Sequence, residues 1–138
     1  MKINVKLSHN AFLPERFHDT DAGADIRTPE TFRLAPHSSE IVFTGVHVEL
    51  PSDTVGMVKS KSGLNMRKSI ITEGVIDEGY GGEIVVKLYN LGDEAHVFNR
   101  GDKIAQLVVM PVYYPAYQEV DEIKSGDRGS NGFGSTGA

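Results

Sequence analysis

The sequence contains no cysteine among its 138 residues. This absence excludes disulfide bonds, thiolate zinc sites, iron–sulfur clusters and a cysteine nucleophile. It is typical of proteins kept in a reducing compartment. The first seven residues also carry lysines where a secretory signal needs an apolar core, which argues against export. We therefore expect a cytoplasmic protein.

Long apolar runs and an excess of basic residues are missing as well. No run approaches the roughly 20 apolar residues of a membrane-spanning helix, so we expect no membrane partner. The 14 Lys and Arg residues against 19 Asp and Glu leave a formal net charge of −5. This balance argues against a nucleic-acid partner held by general attraction. A polyanionic ligand must therefore be held by a local cluster of cations.

Most of the chain is typical of short β-strands. Apolar and polar residues alternate over a few positions and then meet Gly, Pro, Asn or Asp. Such runs occur at residues 2–7, 40–43, 46–50, 55–59, 83–89, 95–98, 103–109 and 117–120. Helical periodicity is limited to a short candidate at residues 64–69. The pattern predicts an all-β sandwich, jelly roll or barrel with very little helix.

The domain organisation follows from length and composition. A chain of 138 residues is typical of one domain. Residues 125–138 hold five of the 15 glycines and a single aromatic residue, so they bury too little apolar area to offset the entropy of ordering. We expect one β domain at residues 1–124 and a flexible, glycine-rich C-terminal arm at residues 125–138.

The segment at residues 74–84 predicts a strand, a glycine-rich turn and a returning strand. Glu78 and Glu83 are interpreted as solvated acids of an ordinary hairpin. Asp77 differs, because it follows two apolar residues and precedes a loop that contains Tyr80. A carboxylate and a ring at this point can lie beside a ligand.

Residues 59–68 hold four cations and no acid. A solvated basic turn is the ordinary interpretation of such a run. The Ser-Gly pair at 62–63, ahead of a possible helix, also offers a hydroxyl and free backbone N–H groups, which suit a phosphate. This segment is therefore a candidate anion site.

Two further segments carry candidate ligand groups. Asp25 can hold a hydrated Mg²⁺, which takes few carboxylates, although a turn-stabilising role competes. In the glycine-rich arm, Arg128, Phe133, Ser135 and Thr136 suit a flap that closes over a phosphorylated base, although a disordered end competes.

Five segments in this order resemble the motifs of the trimeric dUTP diphosphatase (dUTPase) family. They are AGADI at 22–26, KSGLN at 61–65, GVIDEGYGGE at 74–83, RGDKIAQL at 100–107 and RGSNGFGST at 128–136. One short motif is weak, but five in register along almost the whole chain are specific.

The resemblance implies a jelly-roll-like distorted β-barrel, assembled as a homotrimer with active sites shared between chains. The implied reaction is hydrolysis of dUTP to dUMP and pyrophosphate with Mg²⁺, which limits uracil in DNA and supplies dUMP for thymidylate synthesis. By motif position, Asp77 is the implied general base for water that attacks the α-phosphorus. Asp25 is implied to act on the metal through water.

The resemblance also implies the substrate contacts. The implied base and sugar contacts are Gly74, Val75, Ile76, Tyr80, Ile84 and Phe133. The implied phosphate contacts are Lys61, Ser62, Gly63, Gln106, Arg128, Gly134, Ser135 and Thr136. Three positions depart from the family pattern: Lys61 stands where many members have Arg, and Gly79 and Gly81 replace an Asp and an Arg.

Two alternatives remain. A dCTP deaminase shares the implied fold, but Lys87 stands where its catalytic glutamate is expected. A nucleotide-sensing protein that binds a regulatory partner is also compatible with the sequence.

Overall fold

The computed structural model describes residues 1–8, 10–124, 126 and 129. Within this part of the chain there are ten β-strands and one helix. In chain order they are β1 (Asn4–Leu7), β2 (Gly23–Arg27), β3 (Phe32–Leu34), β4 (Ser38–Glu49), β5 (Thr54–Lys59), α1 (Ser62–Lys68), β6 (Ile70–Ile71), β7 (Glu73–Ile76), β8 (Glu83–Asn90), β9 (His96–Phe98) and β10 (Lys103–Pro111). The expected β fold with very little helix is confirmed.

The strands form two four-stranded sheets and a two-stranded ribbon. One sheet has the order β1-β4-β8-β6, the other has the order β2-β10-β5-β7, and β3 pairs with β9. All of these pairs are antiparallel. This layered antiparallel arrangement agrees with the expected jelly-roll-like class.

The core lies between the sheets and contains aliphatic residues from both of them. Strand β8 shows the pattern clearly, since Ile84, Val86 and Leu88 are buried while the residues between them are exposed. Successive side chains of a strand point to opposite faces, so one face of β8 packs on the core. Ile26 and Ile104 face the core from the second sheet.

Strand β4 corrects the prediction of two separate strands at 40–43 and 46–50. It is one strand of 12 residues with a register shift against β8 between Phe43 and His47. Gly45 lies in the shift with a φ of +69°, and its N–H donates a 2.6 Å hydrogen bond to Glu83 Oε1. A β-bulge accommodates the register shift, so the strand continues through Gly45.

The predicted hairpin at 74–84 is also corrected. Strands β7 and β8 flank the turn, but they do not pair with each other. β7 pairs with β5, and β8 pairs with β4 in the other sheet. The turn therefore carries the chain from one sheet to the other.

Two local predictions differ from the structure. The helix begins at Ser62 rather than at 64 and ends at Lys68, where Ser69 adopts a left-handed conformation with φ 54°. The predicted strand at 117–120 is wrong, because this segment is irregular and Tyr117 is 95% exposed. A short alternating run forms a strand only beside an available edge, and the described residues pair no strand with it.

The one-domain organisation and the mobile arm remain predictions, since nearly all of the arm lies outside the described residues. No helix in the described part of the chain has the length and apolar character needed to span a bilayer.

Candidate active site

Asp77 lies at the corner between the two sheets, directly after the last residue of β7. Ile76 is buried and forms the last pair of β7 with β5, opposite Gly56. The N–H of Tyr80 donates a 3.1 Å hydrogen bond to the carbonyl of Asp77 and closes the turn. Gly79 lies in this turn with a φ of +81°, a conformation that favours glycine. The Asp77 side chain is exposed, so its carboxylate is available to water and to a ligand.

Tyr80 folds back over its own turn. Its hydroxyl donates a 3.0 Å hydrogen bond to the carbonyl of Glu83, and the residue remains 47% exposed. A Cβ added to Gly82 would lie 2.4 Å from the Tyr80 ring. The ring can therefore take this position only because residue 82 has no side chain.

Glu78 is exposed, as expected from the sequence, and it also anchors the turn. Its Oε2 accepts hydrogen bonds from the Asp53 N–H at 2.8 Å and from the Tyr114 hydroxyl at 2.7 Å. These two bonds lower the pKa of Glu78, with Tyr114 as the larger cause. The same contact with Glu78 raises the pKa of Tyr114 to about 12. The turn that carries Asp77 is thus tied to the β4–β5 turn and to the chain after β10.

Glu83 is half-buried and also has a structural contact, because its carboxylate accepts a hydrogen bond from the N–H of Gly45. Sequence patterns gave no signal for the partners of these two acids. Gly45, Asp53 and Tyr114 are distant in sequence, and only the packing of the sheets brings them to the turn.

The predicted base contacts divide into two classes. Ile76 and Ile84 have buried side chains, so only their backbone groups can meet a ligand. Gly74 and Val75 lie on β7, which is the edge strand of its sheet. An edge strand presents unpaired N–H and C=O groups along one side. On the side of β8 that faces away from β4, only Tyr89 and Asn90 pair with another described strand, which is β6. Unpaired backbone donors and acceptors are therefore available along the edge of β7, whereas the Ile84 carbonyl already accepts a 2.6 Å hydrogen bond from the Thr44 hydroxyl.

The predicted phosphate contacts cluster around the start of α1. Ser62 and Gly63 are exposed, and no described atom lies within 4 Å of a Cβ built on Gly63. Gln106 lies opposite both Asp25 and Lys59 in the sheet register, and its Nε2 donates a 3.0 Å hydrogen bond to the carbonyl of Ser60. The sheet thus brings residues of three motifs to one place.

Asp25 lies inside this cluster and is bound by two lysines. Its Oδ2 is 2.6 Å from Lys103 Nζ, and its Oδ1 contacts Lys61 Nζ. Burial raises the pKa of the Asp25 carboxyl, but the hydrogen bonds and charges of Lys103 and Lys61 outweigh burial and hold the pKa below its ordinary value. Lys103 was not singled out in the sequence, although it lies in the segment RGDKIAQL.

The cluster and Asp77 do not meet within one chain. Lys59 pairs with Glu73 at one end of the β5–β7 ladder, whereas Gly56 pairs with Ile76 at the other end. Asp77 follows Glu73 by four residue steps, which correspond to about 13 Å at roughly 3.3 Å per residue of extended chain. Asp77 and the phosphate cluster therefore lie at opposite ends of the ladder.

The described residues contain no group of three or more His, Cys, Asp or Glu side chains that could hold a metal ion. This donor set fits a Mg²⁺ ion that is bound mainly by substrate phosphates and water, since Mg²⁺ commonly takes only one or two protein carboxylates. It does not fit a cage built by the protein alone. Five predicted contacts lie outside the described residues: Arg128, Phe133, Gly134, Ser135 and Thr136.

The chain is similar to known proteins over nearly its whole length. A family model described as dUTPase matches residues 9–137. The chain belongs to the dUTPase family. The deoxyuridine 5'-triphosphate nucleotidohydrolase of Gloeothece citriformis (strain PCC 7424) is 43% identical over 141 residues, which cover 99% of this chain and 97% of that protein.

Solved structures of the dUTPase family are similar over the same length. A mutant dUTPase of Staphylococcus bacteriophage 80alpha with dUpNHpp has a TM-score of 0.88 and 34% identity, and the match covers 99% of each chain. A mutant dUTPase from phage phi11 of S. aureus, described with a coordinated structural Mg(II) ion, has a TM-score of 0.83 and 31% identity. That match covers 91% of this chain and 100% of the phage chain.

Proposed function

We propose that this protein hydrolyses dUTP to dUMP and pyrophosphate, which limits uracil in DNA and supplies dUMP for thymidylate synthesis. The observation that carries the proposal is the exposed carboxylate of Asp77 at the sheet corner, three residues before Tyr80, in a chain that belongs to the dUTPase family.

Asp77 is the proposed general base. An exposed carboxylate that lies beside the bound nucleotide can take a proton from the attacking water. The water oxygen forms a bond to the α-phosphorus, the bond to the bridging oxygen of the β-phosphate breaks, and pyrophosphate leaves. The anchored turn keeps the carboxylate at the corner, because Glu78 is held by Asp53 and Tyr114. Such positioning lowers the entropic cost of reaching the reactive geometry.

The backbone of β7 and β8 is the proposed reader of uracil. The edge of β7 around Gly74, Val75 and Ile76 offers both donors and acceptors. Ile84, at the start of β8, is the proposed neighbour of the base on the other side of the corner. Cytosine presents the reversed hydrogen-bond pattern and would leave buried groups unpaired, at a cost of roughly 1–3 kcal/mol per group. Tyr80 is proposed to pack under the deoxyribose and to leave no room for a 2′-hydroxyl.

The cluster at the start of α1 is the proposed triphosphate site. Lys61 supplies a positive charge and Ser62 supplies a hydroxyl. Gly63 supplies a backbone N–H beside which there is no side chain, and Gln106 supplies an amide. Mg²⁺ bound to the phosphates would neutralise charge that develops on the leaving pyrophosphate. Asp25 is proposed to approach that ion through water. In the arm, Arg128, Gly134, Ser135 and Thr136 are proposed to contact phosphates and Phe133 to stack on the base.

A homotrimer with shared sites is proposed because Asp77 and the phosphate cluster of the same chain lie far apart. A second chain can bring its own cluster to the corner of the first. The outer face of the β4–β8 pair supports assembly, since Ile41, Phe43, Val85 and Tyr89 are all at least 40% exposed there. Lys87 lies on the same face, opposite Ile41. Exposed apolar side chains gathered on one face are typical of a protein–protein interface. A cytoplasmic location remains part of the proposal, as does the absence of a membrane or nucleic-acid partner.

A pyrophosphate-release assay with the deoxynucleoside triphosphates tests the proposed function. We expect rapid release from dUTP in the presence of Mg²⁺ and much slower release from dCTP, dTTP and UTP. Ammonia produced from dCTP would support the deaminase alternative, although Lys87 occupies the position of its expected acid. Nucleotide binding without any turnover would support a nucleotide-sensing protein with a regulatory partner.

A further inference from the structure

Asp25 is shared by two lysines whose charges point outward. Its side chain is 8% exposed, whereas those of Lys61 and Lys103 are 27% and 33% exposed. The carboxylate is therefore the more buried partner of both ion pairs. Each ammonium group contacts a different oxygen of the same carboxylate.

A bulge in β10 brings Lys103 to this position. Lys103 pairs with Arg27 and Ala105 with Ile26, so the register against β2 shifts between Lys103 and Ala105. In a regular strand, residues 103 and 106 would point to opposite faces. The shift leaves Ile104 and Ala105 both buried and turns Lys103 to the face that carries Asp25 and Gln106. A bulge commonly re-aims a side chain in this way.

The cluster has one more positive charge than it can neutralise itself. One carboxylate faces two ammonium groups, and the neighbouring candidate phosphate contacts, Ser62 and Gln106, are uncharged. The shared carboxylate attracts both ammonium groups, but the two cations repel each other, so an added anion would be stabilised beside them. The ring of Phe17 lies 5.4 Å from Lys103 Nζ and covers this ammonium group from another side. The excess charge is therefore directed to the surface beside the start of α1.

We propose that Lys103 is a second cation for the substrate triphosphate, held beside Lys61 by the shared carboxylate of Asp25. This inference rests on the proposed function, because it names a further contact of the same phosphate site. Lys103 binds phosphate oxygens directly, while Asp25 acts as a positioning residue for both lysines. The two lysine charges together would take the place of the arginine that many family members have at the position of Lys61.

Binding measurements on a set of variants test the role of Lys103. Lys103→Met removes the charge and leaves Asp25 paired with Lys61, so we expect the protein to fold. Lys103→Arg keeps the charge. Lys2→Met removes one lysine that precedes β1 and lies outside the cluster, and it serves as a matched control. Calorimetry then gives the affinity of each variant for dUpNHpp, dUMP and inorganic tripolyphosphate.

We expect Lys103→Met to weaken dUpNHpp and tripolyphosphate binding by about tenfold or more, as for loss of one charged hydrogen bond. Binding of dUMP should change by less than about twofold, since it lacks the β- and γ-phosphates. Lys103→Arg should retain most of the affinity, and Lys2→Met should match the parent protein. Unchanged tripolyphosphate binding in a folded Lys103→Met variant would overturn the inference. An equal loss of affinity for dUMP would also overturn it, because it would indicate a purely structural role.

A footprint on the unaltered protein avoids any dependence on variant folding. Amine-reactive labelling followed by mass spectrometry gives the reaction rate of each lysine. We expect dUpNHpp and tripolyphosphate to slow labelling of Lys103 strongly, dUMP to have little effect, and Lys2 to react at a constant rate. Equal labelling of Lys103 with and without tripolyphosphate would contradict the inference. Tripolyphosphate binding at Lys103 without pyrophosphate release from dUTP would instead count against the proposed function alone.

Discussion

The hydroxyl of Tyr114 donates a 2.7 Å hydrogen bond to Glu78, the residue that follows Asp77 in the turn. Tyr114 comes after β10, so this bond ties the end of one sheet to the corner between the sheets. The Asp53 N–H donates to the same Glu78 oxygen. The position of Asp77 therefore depends on residues from two distant parts of the chain.

Removing this tie should loosen the turn without unfolding the protein. Tyr114→Phe deletes the hydroxyl, and we expect kcat for dUTP to fall about two- to fivefold with KM nearly unchanged. Amide hydrogen exchange across residues 77–80 should become faster. Tyr113→Phe is a matched control, because Tyr113 is exposed. The same exchange rates in Tyr114→Phe and in the parent protein would show that the bond does not position the turn.

The hydrogen bond between Tyr114 and Glu78 should also depend on pH. The lowered pKa of Glu78 means that its contribution is present above the ordinary glutamate pKa and is lost as the pH falls through the lowered value. The pKa of Tyr114 is raised to about 12, so its contribution is complete below about 10 and is lost as the pH rises through about 12. The exchange difference between Tyr114→Phe and the parent protein should accordingly be greatest between about pH 5 and 10.

Asp77→Asn should abolish turnover and preserve binding. The amide cannot accept the proton from water, but it keeps the size of the carboxylate. We expect undetectable pyrophosphate release and an affinity for dUpNHpp within about threefold of the parent protein. Asp121→Asn, an exposed position after β10, is the control. Loss of nucleotide binding together with turnover would refute the assignment of Asp77 as general base.

Gly82→Ala should displace Tyr80. The added Cβ would lie 2.4 Å from the ring, so the ring must swing away, whereas the backbone can remain in place. We expect little change in melting temperature but a reduced preference for dUTP over UTP, measured as the ratio of their kcat/KM values. Gly81→Ala is a matched control, because no described atom lies within 4 Å of its added Cβ. Equal discrimination in the two variants would argue against Tyr80 as the sugar contact.

Asp25→Asn should lower stability in a pH-dependent way. The change removes the negative charge that Lys61 and Lys103 share, and we expect the free energy of unfolding at pH 7 to fall by about 1–3 kcal/mol. Because the pKa of Asp25 is lowered, its contribution is present above about pH 3.9 and is lost as the pH falls through the lowered value. Urea unfolding at constant protein concentration should show the two proteins converging in acid. Asp93→Asn, at a largely exposed carboxylate, is the control.

Deletion of residues 125–138 should spare folding and assembly but reduce kcat/KM. The segment is rich in glycine and carries the predicted contacts Arg128 and Phe133. We expect an unchanged elution volume in gel filtration and an unchanged melting temperature. A dissociated or unfolded truncated protein would show that the arm belongs to the core of the fold.

The sequence by itself predicted the family, the β fold and the residues proposed for the site. Alternation of apolar residues predicted most strands, since a half-buried strand has a period of two. The resemblance of five motifs led to the roles proposed for Asp77, Tyr80 and Asp25, because residue type and spacing can be read without coordinates.

Only the tertiary structure decided how those residues are held. The separation of β7 and β8 into different sheets, the bulge that turns Lys103 toward Asp25, and the bond from Tyr114 to Glu78 all depend on pairings between distant segments. The local sequence around Glu78 and Glu83 does not distinguish them from acids without a hydrogen-bond partner in the protein. Their partners are chosen by sheet packing, which no short pattern in the sequence encodes.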